Sequence, residues 1–201
     1  MIRDLDDTIK ALLQTRAVPG SELAGADISF DVPDPTWRSK VLQLTVNCYL
    51  YDVRENAALR THEGLMQRSA DGKRAFRRRP PVRVDCGYCI TSFSRAGAES
   101  VLDEHRLLTQ VLTVLLKNPT IPADVLQGGL VGQVPPYPTV IALPDGVKNA
   151  AEFWRALDQH FKPSLNYVIT LAMMLDALPA ELPRVVETVA VGADDISKFP
   201  G

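Results

Sequence analysis

Two long stretches of strict alternation constrain this chain more than any other feature. In residues 42–53, Leu42, Leu44, Val46, Cys48 and Leu50 share one face, while Gln43, Thr45, Asn47, Tyr49 and Tyr51 share the other. In residues 82–93, Val82, Val84, Cys86, Tyr88 and Ile90 repeat the pattern. A period of two over a dozen residues specifies long strands with one apolar face. The two are expected to pair, with residues 54–81 as an excursion between them. The apolar face belongs to a core, and the polar and aromatic face is expected to be solvated or to meet a partner.

Helical periods supply what covers that core. Leu5, Ile9, Leu12 and Leu13 recur at helical spacing behind Asp4, Asp6 and Asp7, whose carboxylates suit a helix start, so a helix is expected over residues 4–16, stopping before Pro19-Gly20. A second helix is expected over residues 100–117, with a stripe of Val101, His105, Leu108, Leu112 and Leu115 closed by Asn118-Pro119. Asn149 followed by Glu152 resembles a capping box, and Phe153, Trp154, Leu157 and Phe161 give that helix an apolar side. Shorter strands are read at 28–32 and 139–143, and a long one through Leu165, Tyr167, Ile169, Leu171 and Met173. Residues 119–138 hold five prolines and three glycines and read as a loop. The β-branched run 185–191 is strand-like and precedes a polar tail.

At 201 residues and 46% hydrophobic, the chain can bury one substantial core. A net charge of -2 and a pI near 5.9 speak against a general nucleic-acid binder. No apolar run is long enough to span a bilayer, and the acidic opening lacks a signal peptide's apolar centre, so no membrane insertion is expected and assembly is placed in the cytosol. Three cysteines fit a reducing compartment better than a disulfide framework.

Several motifs imitate chemistry without its context. Asp4-Leu5-Asp6-Asp7-Thr8 matches the nucleophile motif of haloacid-dehalogenase-type phosphatases, but that chemistry needs the end of a buried strand, and here a helix stripe follows. Cys86-Gly87-Tyr88-Cys89 has redox spacing, yet residues three apart on a strand point to opposite faces. Cys48, His62, His105 and His160 offer no second pair at metal-ligand spacing, and His105 reads as a packed histidine. Gly128-Gly129-Leu130-Val131-Gly132 lacks the Lys-Ser/Thr ending of a phosphate-binding loop. No enzyme, metal or cofactor is therefore expected. The competing expectations are a small hydrolase or thiol-redox enzyme with an unrecognised site, or a monomeric adaptor that binds a peptide by strand addition. Lys73, Arg74, Arg77, Arg78 and Arg79 form the one dense basic cluster, read as a solvated hairpin tip or as a contact to an acidic protein ring, with nucleic acid a distant third reading.

Five segments in order resemble the small tail-terminator, or cap, proteins of phage-tail-like contractile injection systems. They are the acidic start Ile2-Arg3-Asp4-Leu5-Asp6-Asp7-Thr8-Ile9; Thr45-Val46-Asn47-Cys48-Tyr49-Leu50-Tyr51-Asp52-Val53-Arg54-Glu55-Asn56; Arg79-Pro80-Pro81-Val82-Arg83-Val84-Asp85; Tyr88-Cys89-Ile90-Thr91-Ser92-Phe93; and Asp103-Glu104-His105-Arg106-Leu107-Leu108. The resemblance covers most of residues 1–175 and departs at Cys48, Cys86 and Cys89. It implies an α+β fold with a mixed, mainly antiparallel sheet and helices on one face. It also implies a structural subunit without catalytic residues or cofactor, closing as a homohexameric ring on the inner tube and touching the sheath. Such a particle is released from the cell or associated with a membrane as a whole. A terminator-like domain is expected over residues 1–178 and a strand-like extension over 179–201. The expected partner surfaces are Tyr49 and Tyr51, the basic cluster, and Val185, Val186, Val189 and Val191, which are expected to add a strand to a neighbouring chain.

Overall fold

The computed structural model describes residues 1–68, 75–95, 100–132, 137–142, 147, 149–175 and 180–181. Helix α1, Ile2–Arg16, buries Leu5, Thr8, Ile9, Leu12 and Leu13, the stripe that its spacing predicts. Strand β1, Asp27–Ser29, follows the four-residue helix α2, Glu22–Gly25; a second short helix, α3, Pro35–Arg38, leads on toward strand β2, Thr45–Glu55. Asp34 Oδ1 accepts the Trp37 N–H at 2.7 Å and starts α3, with Pro35 in the first helical position where its missing N–H costs nothing. After an excursion come β5, Val82–Phe93; α4, Ser100–Lys117; β6, Thr139–Ile141; α5, Ala150–Ala156; and β7, Leu165–Met173.

These strands form one five-stranded sheet in the order β1-β2-β5-β7-β6, antiparallel throughout except for the parallel β1–β2 edge pair. The two long alternating stretches do pair, from Thr45 opposite Phe93 to Glu55 opposite Val84, with a register shift between Leu50 and Asp52. Val46, Cys48, Cys86, Tyr88, Ile90, Tyr167, Ile169 and Leu171 join the buried faces of α1 and α4 in one apolar cluster. The architecture is the expected mixed, mainly antiparallel α+β one, with α1 and α4 contributing to the cluster on one face. On the opposite face the short helices place aromatic residues, Phe153 from α5 and Trp37 from α3.

Several details differ from expectation. The buried residues of α4 are Leu107, Val111, Val114 and Leu115, whereas Val101 and His105 are exposed. The helix is apolar on two adjacent rows, and the sheet and α1 select between them. Leu42 lies outside β2 and is 75% exposed. Helix α5 ends at Ala156, so Phe161 falls beyond it and is exposed. The proline-rich stretch contains two 3-10 turns, and Ile121, Val125, Leu130 and Tyr137 bury their side chains.

A second compact unit comprises residues 61–80 and 174–201. In it β3, Leu65–Arg68, and β4, Ala75–Arg78, form an antiparallel hairpin, and β8, Ala180–Glu181, pairs with β4 through Phe76 opposite Glu181 and Arg77 opposite Ala180. The boundary expected near residue 178 falls outside the described residues.

Candidate functional site

The motifs that imitate catalysis have structural uses here. Asp4 sits in the first turn of α1, bound to the chain's own amino group at 2.9 Å, and accepts the Gly129 N–H at 3.2 Å. Those two contacts hold its carboxyl below the ordinary range. Two glycines of the proline-rich stretch, Gly128 and Gly129, are thus explained by a close approach to Asp4. Gly128 has φ +53°, and a Cβ there would collide with the Asp4 carboxylate. Asp6 accepts the Tyr88 hydroxyl at 2.8 Å, and burial raises its pKa. Neither aspartate lies at the end of a strand.

Cys86 and Cys89 occupy β5 three residues apart, hence on opposite faces, and both are buried, as is Cys48. Burial pushes the Cys86 and Cys89 thiols up to about 11 and that of Cys48 higher still, which leaves almost no thiolate at neutral pH. Among the described residues no three His, Cys, Asp or Glu side chains converge on a metal position.

The most developed contact feature is the sheet face opposite α1. Tyr49 and Tyr51, both half-buried, pack on Phe153 of α5 with ring centroids 6.2 and 5.8 Å apart, and Phe153 meets Trp154 edge-on at 5.6 Å. The Tyr51 ring crosses β5 at Gly87, where a Cβ would stand 3.3 Å from Tyr51 Cζ, and its hydroxyl reaches Asn166 Oδ1 on β7 at 2.6 Å. Asn149 Oδ1 accepts the Glu152 N–H at 3.2 Å, starting the helix that delivers Phe153. The result is a rigid aromatic ledge with one polar anchor. Gly87 and Asn166 escaped the sequence reading, although a glycine in mid-strand signals close approach by another group.

The other expected surfaces fall elsewhere. Arg77 and Arg78 lie on β4, and Arg79 follows it and is exposed. Lys73, Arg74, Val185, Val186, Val189 and Val191 lie outside the described residues. Among the described residues no helix is long and apolar enough to cross a membrane.

A family model described as the Pvc16 N-terminal domain matches residues 4–188. The chain belongs to this family. No curated protein matches the sequence. Among solved structures, this Pvc16 N-terminal domain is similar to the sheath/tube terminator of an extracellular contractile injection system, PVC, in its extended state, with a TM-score of 0.67 and 21% identity. That match covers 100% of this chain and 65% of the terminator. It is also similar to the tube-terminating cap of the anti-feeding prophage, with a TM-score of 0.65 and 23% identity over 94% of this chain and 60% of the cap. The chain thus spans somewhat less than two thirds of either relative's length, and at these identities the likeness is one of fold. The Pvc16 N-terminal domain assignment agrees with the tail-terminator resemblance carried by the five segments.

Proposed function

We propose that this protein is a structural cap subunit that closes the end of the inner tube and sheath of a contractile injection system. The observation that carries this reading is the fold likeness to two such terminators over all or nearly all of the chain, together with the family match. The subunit acts by shape, without a catalytic step. It closes as a six-fold ring in which each copy presents one surface to one neighbour and a different surface to the other, a heterologous contact closed by rotation. The aromatic ledge of Tyr49 and Tyr51 and the basic residues Lys73, Arg74, Arg77, Arg78 and Arg79 serve as partner surfaces, since aromatic and arginine side chains are enriched at the centres of interfaces. The protein assembles in the cytosol and leaves it only as part of the particle.

Deleting the gene and measuring particle lengths by electron microscopy tests the reading. An uncapped polymer end keeps accepting subunits, so the expected result is tubes and sheaths of broadened length or reduced yield, restored by the wild-type gene. Particles of normal length and yield in the deletion strain would overturn it.

A further inference from the structure

The sheet of the first unit has two unequal edges. At β6 the edge is three residues long, and residues 119–121 cover its start from outside: the Thr139 N–H reaches the Pro119 carbonyl at 2.9 Å, and the Ile121 N–H reaches the Tyr137 carbonyl at 3.1 Å. At the other edge, β1 pairs only Asp27–Ser29 with Thr45–Asn47. The chain then turns away, and the Asp31 carbonyl is taken by the Asn47 side-chain amide at 2.9 Å. Beyond Asn47, residues 48–55 other than Tyr51 remain paired to β5 on one side, while no described strand continues the sheet on the other. Cys48 is fully buried, but along the seven partly or fully exposed residues 49–55 alternate N–H and C=O groups face outward, and such an edge is a template for another strand. Val53, Arg54 and Glu55 are exposed along it. The register shift after Leu50 and the charges at its far end blunt indiscriminate pairing, so an incoming strand must fit.

We propose that this outer edge of β2 receives residues 185–191 of a neighbouring copy as an added strand. The inference rests on the ring reading above and gives it a specific contact. The segment Val185-Val186-Glu187-Thr188-Val189-Ala190-Val191 has five β-branched residues and no proline, and its seven residues match the seven of the open edge, 49–55. Only Leu182-Pro183-Arg184 separate the segment from β8, and the ten residues from Glu181 to Val191 span at most about 33 Å when extended. A donor segment and a separate acceptor edge on each copy are the two unlike surfaces that a heterologous ring contact needs.

Cross-linking in cells that make the whole particle tests the proposal. Val53→Cys is placed in one tagged copy, and a cysteine is scanned through residues 185–191 of a second, differently tagged copy. The native cysteines are buried and do not compete. The expected result is a disulfide between the two singly substituted chains at one or two scan positions, about tenfold above a Lys10→Cys control on exposed α1, because only cysteines held within bridging distance pair efficiently. A chain ending at Leu182 is expected to keep the wild-type unfolding midpoint while failing to join the ring. Three results overturn the proposal. One is no cross-link at any scan position while the chain still cosediments with tubes, which leaves the cap reading standing. Another is a cross-link confined to single chains carrying both cysteines, which places the segment on its own subunit. The third is a wild-type chain that never cosediments with tubes, which removes the cap reading and this inference together.

Discussion

Gly87 shows how one missing side chain builds the aromatic ledge. It leaves room for Tyr51 to lie across β5, and Phe153 and Asn166 hold that ring from two sides, so it cannot swing aside. Gly87→Ala gains strand propensity but sets a methyl 3.3 Å from Tyr51 Cζ and Asp52 Cβ. The expected net effect is a loss of about 1 kcal/mol, rising to about 2–3 for Gly87→Val, read from urea unfolding. Adding Tyr51→Ala should recover part of that loss in a double-mutant cycle; strict additivity would mean that the two residues do not press on each other. Asp6 is the second informative residue. Burial is the larger influence and raises its folded pKa, despite the Tyr88 hydroxyl at 2.8 Å. A raised carboxyl pKa means that the folded state binds the proton more tightly than the unfolded one, so the charged form weakens the fold above the folded pKa and the penalty disappears below the unfolded value. Asp6→Asn keeps an acceptor for Tyr88 without the charge. Its unfolding midpoint is expected to exceed that of the wild type near neutral pH, with the gap closing as pH falls through the carboxylate range.

Helix α5 is short, seven residues, and cannot be stable alone; it persists because it is capped by Asn149 and buries Trp154. Through Phe153 it then fixes Tyr49 and Tyr51. Trp154→Ala removes a fully buried ring and is expected to cost about 3–5 kcal/mol. If the helix is held by this side chain, limited proteolysis should cut residues 150–156 before the sheet strands. Simultaneous loss of all protection would instead make α5 part of the global core. Strand β2 has the opposite character: its length comes from its own alternation, but its value as a contact comes from how little of one edge β1 covers.

For the molecule as a whole, the slight negative charge conceals the basic run between residues 73 and 79. Replacing Lys73, Arg74 and Arg77 with glutamate is expected to leave the isolated subunit folded, with an unfolding midpoint near that of the wild type. Binding to tube and sheath is expected to fall about tenfold or more, and the wild-type interaction should weaken with salt while the variant's does not. Cosedimentation at two salt concentrations measures both. Unchanged binding would leave the cluster as a solvated hairpin.

The amino-acid sequence by itself determined the elements whose period is long and unambiguous. The α1 stripe, the pairing of the two long strands, the span of α4 and the strand through Leu165 to Met173 all follow from spacing, because each buries one face that its own residues define. It also placed Cys86 and Cys89 on opposite faces, because two residues three apart on a strand diverge whatever surrounds them. Only tertiary structure decided which row of α4 turns inward, since Leu108 and Leu112 compete with Leu107 and Val111 for the same role and the partner surface makes the choice. The exposure of His105 and Leu42 follows from that same dependence on partners. The aromatic ledge was half legible, through Tyr49, Tyr51 and Phe153. Its anchor Asn166 and its clearance at Gly87 were not, because they lie 115 and 36 residues from Tyr51 and only strand pairing brings them beside it. The open edge of β2 is likewise invisible in one dimension: a strand's residues declare that it will pair, but the number of its residues left without a neighbour depends on where the neighbouring chain turns away.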